Sequence, residues 1–505
     1  MIILLTIKFS LKTTQNSKMK PSQLLLFLLL PFVIFSQKLQ RNVFEYEKLK
    51  SDNFIVCDET TNKQLESALL KISENNSTSA VAISKKIFDT NNNCFGTFET
   101  YGFALFRNGQ WFEGIQIIED GIKKFGSVPE LIKRKSEMSL EMAQLGTQQK
   151  NIDGNSVYNS GNSNYDEDQF KEENFKSALA DLEYLIKMYN RVEEIYYAAK
   201  IQQLLNDYNK SNDTFKMLLN DPEYKNTALY NIGDNYIALK DLDKAEKEFN
   251  TLVSENPKEG EIYDKLAEIY ELRNDKIKAE EFNAKSIFYK NVPEDTNFEY
   301  NKENFELLKF FGTNENKPDK KLKKLKEIIG QNNTQYTVDV CLMILKLHAN
   351  HGNGVEEKAA ATLKTIGKPG IEKVNKLFQT NVSTCTITNL ADVMASVKDE
   401  NSWILMKEYL PYIATMPMTL IPPNVPEKMI LFNEERGIKE ILTTVKPLLL
   451  QVQDNSNNPL GEMAGFGQYV YYMPLGKVNK DKLKKIASDL HYTDQEFYLL
   501  QEKIK

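Results

Sequence analysis

Apolar residues recur at helical spacing along most of this chain. One stretch shows the pattern clearly, with apolar residues at steps of 3, 4 and 3: Phe175, Ala178, Leu182 and Leu185. Steps of this size place the side chains on one face of an α-helix. Farther along the chain, similar stretches alternate with short turns that contain Gly or Pro. The pattern therefore predicts an all-α protein built from many short amphipathic helices.

Small and apolar positions also repeat with a period of about 34 residues. In the first copy these positions are Ile232, Gly233, Tyr236, Ala245, Phe249 and Pro257. One period later the first four roles pass to Leu266, Ala267, Tyr270 and Ala279. Small residues such as Gly233 and Ala245 let two helix backbones approach, and Pro257 ends the second helix. The period thus predicts pairs of antiparallel helices that stack on one another.

This spacing resembles the tetratricopeptide repeat, in which two antiparallel helices are joined by a tight turn. A copy over residues 95–128 carries the pattern at Tyr101, Gly102, Leu105, Gly109, Trp111, Gly114 and Ile118. There Gly109 supplies the turn, and Gly114 stands where the repeat usually has alanine. Weaker copies are expected at 61–94 and 191–225. The resemblance implies a grooved solenoid that binds other proteins and rarely carries out chemistry.

Composition and repeat register divide the chain into five segments. We expect a signal peptide at 1–37, a lead-in at 38–60, a tetratricopeptide-like solenoid at 61–293, a helical domain at 294–450, and a loop with short helices at 451–505. A polar insertion at 146–168 is expected inside one repeat, after a helix over Pro129–Leu145. In the second domain, helix, short turn and helix recur over about 335–415. This part resembles HEAT-type repeats, and another packing of helical hairpins remains open.

In tetratricopeptide proteins the concave groove is lined mainly by four positions of the first helix of each repeat. By that resemblance the groove here includes Glu99, Phe103, Phe106, Tyr230, Asp234, Asp264, Glu268 and Glu271. The later repeats would then present an acidic groove, which favours a basic or amide-rich partner. The lysine and asparagine residues that clamp chaperone tails in this family are absent at the matching positions, so that function is not expected. Surface charge that serves only solubility remains the alternative.

The N-terminal sequence has the pattern of an export signal. Lys18 and Lys20 precede an apolar run, Leu24–Phe35, which is followed by Ser36. The run is shorter than the roughly 20 residues that span a bilayer. Met19 is the expected start of translation, and frequent Asn, Lys and Ile indicate an AT-rich bacterial genome. We therefore expect an exported protein of the periplasm or the cell exterior, with a retained membrane anchor as the alternative.

Export would permit disulfide bonds between the four cysteines. Cys57 and Cys94 are separated in sequence by about one repeat, so stacked repeats would bring them close. Cys341 and Cys385 lie in the second helical region and form the other possible pair. Four free thiols remain the alternative.

Candidate chemistry is sparse. His348 and His351 are three residues apart and would share a helix face as a weak metal candidate, although a helix end is the simpler interpretation. Cys385 with His348 is a conceivable nucleophile pair that nothing nearby supports. The chain has no phosphate-binding loop, dinucleotide motif or nucleophile elbow. No catalytic residue and no cofactor is predicted.

Charge excludes one class of function and leaves three hypotheses. With 64 Lys and Arg against 70 Asp and Glu, the net charge of −6 gives no support for nucleic-acid binding. The one basic stretch, Lys317–Lys326, is interpreted as a solvated helix face.

We expect a protein–protein interaction scaffold of the bacterial envelope, with protein partners and no stable membrane insertion once the signal is removed. An envelope enzyme or processing factor with a site in 335–475 is the first alternative. The second is a carbohydrate- or cell-wall-binding module, which would stack sugars on Trp111, Trp403, Tyr469, Tyr471 and Tyr472.

Overall fold

The computed structural model describes residues 54–73, 76–145, 167–189, 191–313, 317–348, 352–413, 422–451 and 470–504. Every regular element in these ranges is a helix, which confirms the all-α prediction. The predicted signal peptide, most of the lead-in and residues 146–166 of the predicted insertion lie outside the described ranges. Contacts divide the chain into two compact units, unit 1 (1–257) and unit 2 (258–505).

Unit 1 is a series of helix pairs. Its helices are α1 (Glu59–Ser73), α2 (Ser77–Thr90), α3 (Phe95–Arg107), α4 (Trp111–Phe125), α5 (Pro129–Leu145), α6 (Glu167–Tyr189), α7 (Val192–Leu204), α8 (Tyr208–Lys216), α9 (Lys225–Ala238) and α10 (Leu242–Glu255). Each odd-numbered helix packs against the helix that follows it. The helices on either side of the predicted polar insertion, α5 and α6, are one such pair.

Unit 2 begins with a similar pair and continues into a longer helical array. Its longer helices are α11 (Gly260–Leu272), α12 (Lys276–Asn291), α13 (Lys302–Gly312), α14 (Pro318–Gly330), α15 (Thr334–Leu347), α16 (Val355–Ile366), α17 (Lys368–Phe378), α18 (Thr384–Val397), α19 (Glu400–Ile413), α20 (Val425–Phe432), α21 (Glu434–Gln451), α22 (Lys480–Asp489) and α23 (Asp494–Ile504). Residues 470–475 are also helical. From α15 to α21, odd-numbered helices contact one another, and even-numbered helices from α16 to α20 do the same. This two-layer order is that of stacked helical hairpins, while the resemblance to HEAT-type repeats stays a prediction.

The turns inside three helix pairs share one backbone conformation. Asn206, Lys240 and Asn274 stand one repeat period apart, with φ between 60 and 61°. Each backbone amide donates to the carbonyl three residues earlier, and the aspartate that follows caps the second helix of the pair. Gly109 has φ 85° in the turn between α3 and α4. Asparagine and glycine tolerate this left-handed region better than other residues do. The backbone conformation therefore explains why Asn206, Asn274 and Gly109 occupy these turns.

α3 and α4 approach each other at two glycines. A Cβ atom on Gly114 would lie 2.6 Å from the carbonyl oxygen of Gly102 and 2.9 Å from the amide nitrogen of Phe106. A Cβ atom on Gly102 would lie 2.8 Å from the carbonyl oxygen of Gly114. These obstacles are backbone atoms, which cannot rotate away as a side chain can. The two glycines therefore set the distance between the helices of this pair.

Gly114→Ala is expected to lower the free energy of unfolding of unit 1 by about 2–3 kcal/mol, because the added methyl group forces two backbones apart. The repeat pattern alone suggests the opposite, since alanine is usual at this position. Urea denaturation in a Trp403→Phe background measures the loss, because Trp111 is then the sole tryptophan of the chain. Gly330→Ala is the control, because a Cβ atom at this position meets no atom within 4 Å. Its free energy of unfolding, measured by circular dichroism, should differ from that of the parent protein by no more than about 1 kcal/mol. Equal stability of Gly114→Ala and the parent protein would contradict the close approach.

Unit 2 contains a buried lysine in the basic stretch of the sequence. Lys321, in α14, is buried, and its Nζ donates to the carbonyl oxygens of Phe311 and Thr313 at 2.8 Å each. These carbonyls lie at the end of α13, so the lysine caps that helix. Burial lowers the pKa of Lys321. The interpretation of Lys317–Lys326 as a solvated helix face is therefore wrong at this residue.

Candidate partner-binding surface

The groove residues predicted on α3 are buried inside unit 1. Glu99, Phe103 and Phe106 all belong to the interior, and Phe106 stacks on Trp111 with ring centroids 6.0 Å apart. The reason is that α3 packs against α1, α2, α4 and α5, so that little of its surface faces solvent. These three residues are structural, and the expectation that they line an open groove is corrected.

Arg134 of α5 occupies the polar side of this interior. Its Nε donates to Glu99 Oε1 at 2.7 Å, and its Nη1 donates to Glu137 Oε2 at 2.6 Å. The guanidinium carbon lies 3.9 Å from the ring centroid of Phe103, which is cation–π contact. Burial by itself lowers the pKa of Arg134, but Glu99 and Glu137 outweigh burial and raise it. Arg134 therefore already contacts Glu99 and Phe103, the two residues that the sequence predicted to contact a partner.

Further ion pairs join α3 to α5 and α5 to α7, which are the first helices of successive helix pairs in unit 1. Arg107 Nη1 lies 3.0 Å from Glu141 Oε1, and Lys133 Nζ lies 3.2 Å from Glu193 Oε2 and 3.4 Å from Glu194 Oε1. Burial raises the pKa of Glu141, while Arg107 opposes that shift. The charges on α3, α5 and the start of α7 are thus largely neutralised within unit 1.

A polar seam continues between α7, α8 and α9. The ammonium of Lys200 donates to Gln203 Oε1 at 2.6 Å and to Asn231 Oδ1 at 2.9 Å, and the residue is only 4% exposed. Burial lowers the pKa of Lys200 to about 8, and the charge of Asp234 works against that shift. Sequence reasoning missed Lys200, although it stands one repeat period before the predicted groove residue Asp234 and so holds the same repeat position.

Tyr230 and Asp234, the groove residues predicted on α9, are both half-buried. The ring of Tyr230 meets the ring of Phe249 edge to face, with centroids 5.4 Å apart. Asp234 lies near enough to Lys200 to act on its pKa. Both residues are therefore tied into unit 1, and their role toward a partner stays a prediction.

The predicted groove residues of unit 2 all lie on α11. Asp264 is half-buried and accepts hydrogen bonds from Ser286 and Lys290 of α12. Glu268 is exposed and pairs with Lys265 at 3.1 Å, while the exposed Glu271 accepts from Asn283 at 3.3 Å. Of the three predicted groove residues on α11, two are therefore solvent-exposed carboxylates, and Asp264 is committed to its own helix pair.

Behind these carboxylates, α11 and α12 are joined by a column of stacked rings. Tyr270 stacks on Phe282, Phe282 on Tyr263, and Tyr263 on Tyr289, with interplanar angles of 13°, 21° and 19°. Burial raises the pKa of Tyr263 to about 12, helped by Tyr289 and Glu299. The column holds the first helix of this pair firmly, so the positions of Glu268 and Glu271 are fixed by packing.

Two of the four cysteines are bonded. Cys57 and Cys94 form a disulfide with Cα atoms 5.0 Å apart, and both residues are buried. Cys341 and Cys385 are free thiols, so the second possible pair does not form. Burial raises the pKa of the Cys385 thiol, and the charge of Glu356 raises it further. A raised thiol pKa disfavours the thiolate that a nucleophile needs.

Of the two histidines considered as metal ligands, His348 is among the described residues. His348 ends α15 in the left-handed region, with φ 47°, and its Nδ1 lies 3.3 Å from Glu356 Oε2. His351 lies outside the described residues. Among the residues that are described, no group of three His, Cys, Asp or Glu side chains is arranged to hold a metal ion.

The aromatic residues considered for carbohydrate binding are mostly interior. Trp403, Tyr471 and Tyr472 are buried, and Trp403 packs against Phe432 with ring centroids 5.3 Å apart. Trp111 is half-buried on Phe106, and Tyr469 lies outside the described ranges. The described rings therefore form no flat exposed strip.

Within the described part of the chain, no helix combines the length and the hydrophobicity needed to cross a bilayer.

Comparison with known proteins identifies one of these helix pairs. Residues 227–259, which include most of α9 and all of α10, match the family model of the tetratricopeptide repeat. Among solved structures, a MamA double mutant (RS-1) is 14% identical with a TM-score of 0.29, and the match covers 39% of this chain and 94% of that one. A thermophilic TPR protein of Thermus thermophilus is 10% identical with a TM-score of 0.27, covering 41% and 98%. No curated protein matches. The chain is thus an all-α helical-repeat protein that contains a tetratricopeptide repeat, matched over residues 227–259.

Proposed function

We propose that this protein is an exported scaffold of the bacterial cell envelope that binds a partner protein on the exposed face of α11. Tetratricopeptide repeats generally bind other proteins through the first helix of each pair. The observation that carries the proposal is the exposure of Glu268 and Glu271 on that helix. Both make only surface contacts, with Lys265 and Asn283. Such contacts contribute little and can be exchanged for contacts with a partner.

The contrast with unit 1 supports this placement. On α3, the predicted groove residue Glu99 is buried and pairs with Arg134. A partner that used Glu99 would have to break a desolvated ion pair, which costs several kcal/mol. On α11 the carboxylates are already in water. A partner with lysine or arginine side chains would meet them at a low desolvation cost, and its binding would weaken as salt concentration rises.

Two observations support export. The sequence before residue 38 has the pattern of a secretory signal, and Cys57 and Cys94 form a disulfide. Disulfides persist in oxidising compartments and are rare in the cytosol. Thiol counting tests this part of the proposal. Protein taken from its native cells, denatured without reductant and labelled with maleimide–polyethylene glycol should gain two mass tags, and four after reduction. Four tags before reduction would contradict residence outside the cytosol.

Crosslinking in native cells tests the scaffold itself. The protein would carry a C-terminal tag at its own locus, and mild crosslinking would precede purification and mass spectrometry. We expect one envelope protein at a stoichiometric level, lost when Glu268 and Glu271 are both changed to lysine. The matched control changes Glu280 and Glu281, two exposed carboxylates of α12, to lysine. It alters net charge equally and should retain the partner. A protein that is purified alone, or a partner lost equally in both variants, would refute binding at α11.

Neither alternative function gains an observation from the described residues. For an enzyme in 335–475, the nearest arrangement is the contact of His348 with Glu356, beside a Cys385 thiol whose pKa is raised. For a carbohydrate-binding module, the described candidate rings are buried or half-buried. Tetratricopeptide repeats typically serve as non-enzymatic scaffolds. We therefore propose a single function.

A further inference from the structure

A cleft of about 360 Å³ lies in unit 2, where α17 and α19 run side by side. Both helices line it with the same spacing. α17 contributes residues 372, 375 and 376, the residue that follows it contributes 379, and α19 contributes residues 401, 404, 405 and 408. Seven helical steps span about 10 Å. An extended chain covers that distance in about three residues. The cleft therefore has the length of a tripeptide.

The cleft combines an apolar wall with a polar floor. Ile404 is 49% exposed on the wall, beside the half-buried Leu405. Asn375 is only 7% exposed, and its Oδ1 accepts a hydrogen bond from Ser402 at 2.7 Å. Its Nδ2 donates to no described group and remains accessible to solvent. This donor is placed to meet a backbone carbonyl of an occupant.

The charges around the cleft favour a basic occupant. Glu372 and Glu408 stand on opposite sides, and Lys376 is the basic residue among the lining side chains. Lys376 is already engaged by Asp295 at 3.0 Å and by Glu372 at 3.4 Å. Glu408 is exposed and forms no ion pair with any described residue. An incoming lysine or arginine would therefore find a free carboxylate.

We infer that this cleft binds an extended segment of a partner protein in which an aliphatic residue is flanked by lysine or arginine. The aliphatic side chain packs on Ile404 and Leu405, a backbone carbonyl accepts from Asn375 Nδ2, and a flanking basic side chain pairs with Glu408. This surface is separate from the exposed carboxylates of α11. The result for one surface therefore leaves the proposal for the other intact.

Three capped peptides test the inference on the full-length mature protein: GSGKLKGSG, GSGELEGSG and GSGKSKGSG. Titration into protein with ¹³C-labelled isoleucine δ1-methyl groups would follow Ile404, whose signal is assigned by its loss in Ile404→Val. We expect the Lys-Leu-Lys peptide to shift this signal and to bind at least tenfold more tightly than either of the others. Equal binding of all three peptides, or no shift of the Ile404 signal, would overturn the inference.

Surface variants make the test specific. Glu408→Lys and Ile404→Ser change exposed side chains, so the fold should survive. In isothermal titration calorimetry, which does not depend on the Ile404 signal, each should weaken binding of the Lys-Leu-Lys peptide at least fivefold. Leu431→Ser, at another exposed apolar side chain in unit 2, should leave binding unchanged. Uniform effects in all three variants would refute the cleft. Concentration-dependent shifts of Ile404 without peptide would instead identify a second copy of the chain as the occupant, which also overturns the proposal.

Discussion

Replacing Arg134 with methionine is expected to lower the free energy of unfolding of unit 1 by about 3–5 kcal/mol. Methionine keeps much of the arginine volume but removes the charge. Glu99, whose side chain is 9% exposed, would lose its cationic partner at 2.7 Å, and Phe103 would lose the guanidinium over its ring. An unpaired carboxylate in the interior costs far more than the surface contacts of this protein can offset. Urea denaturation of the Trp403→Phe parent and its variants, followed through Trp111 fluorescence, gives the difference.

A double-mutant cycle separates the ion pair from packing. Glu99→Gln combined with Arg134→Met removes both charges, so it should recover about 2 kcal/mol relative to the sum of the single variants. Lys63→Ala serves as the control, because Lys63 pairs with Glu59 with both side chains more than 70% exposed. Its effect should stay below about 0.5 kcal/mol. A coupling energy near zero would show that Glu99 and Arg134 act independently.

Sequence reasoning located the repeat because its signal is local. Gly233 and Ala245 are small for a reason that operates within one helix pair, and the repeat period shows where the next pair begins. The left-handed turns at Asn206, Lys240 and Asn274 recur with the same repeat period. An Asp after each of these residues is visible in the sequence. That turn was therefore predictable from the sequence.

Burial was harder to predict than helix positions. Phe103 and Phe106 occupy first-helix positions that line the groove in related repeats, yet here α3 is enclosed by four neighbouring helices. That enclosure depends on how α1, α2 and α5 pack, which no pattern within 95–128 contains. Glu99 is misassigned for the same reason, since its partner Arg134 lies 35 residues away. Lys321 shows the same effect in unit 2, where one lysine in a basic run points inward to cap α13.

The difference between Glu99 and Glu268 shows that the predicted groove residues do not all have the same role. Both are acidic residues on the first helix of a pair. Glu99 faces a buried arginine, whereas Glu268 faces water and a lysine on its own helix. The first stabilises the fold and the second is available for binding. A partner surface in a repeat protein is therefore assigned by what covers each position, and exposure decides between stability and recognition.

Removing the Cys57–Cys94 disulfide is expected to lower the free energy of unfolding of unit 1 by about 3–4 kcal/mol. The bond closes a loop of 37 residues that includes α1 and α2. Opening a loop of this length returns about that much conformational entropy to the unfolded chain. The double variant Cys57→Ala/Cys94→Ala avoids leaving new polar groups in the small cluster with Leu65 and Ile87. Urea denaturation of this variant, read through Trp111 as above, measures the loss.

Reductant provides a matched comparison for this prediction. Dithiothreitol should destabilise the parent protein by the same amount and should have no further effect on the double variant. Cys341→Ala/Cys385→Ala should respond to dithiothreitol as the parent does, because these two thiols are free. Hydrogen exchange should accelerate first in α1 and α2, since the disulfide ties the segment before α1 to the start of α3. A parent protein that is insensitive to reductant would contradict a stabilising bond at this position. It would also remove one of the two observations that support export.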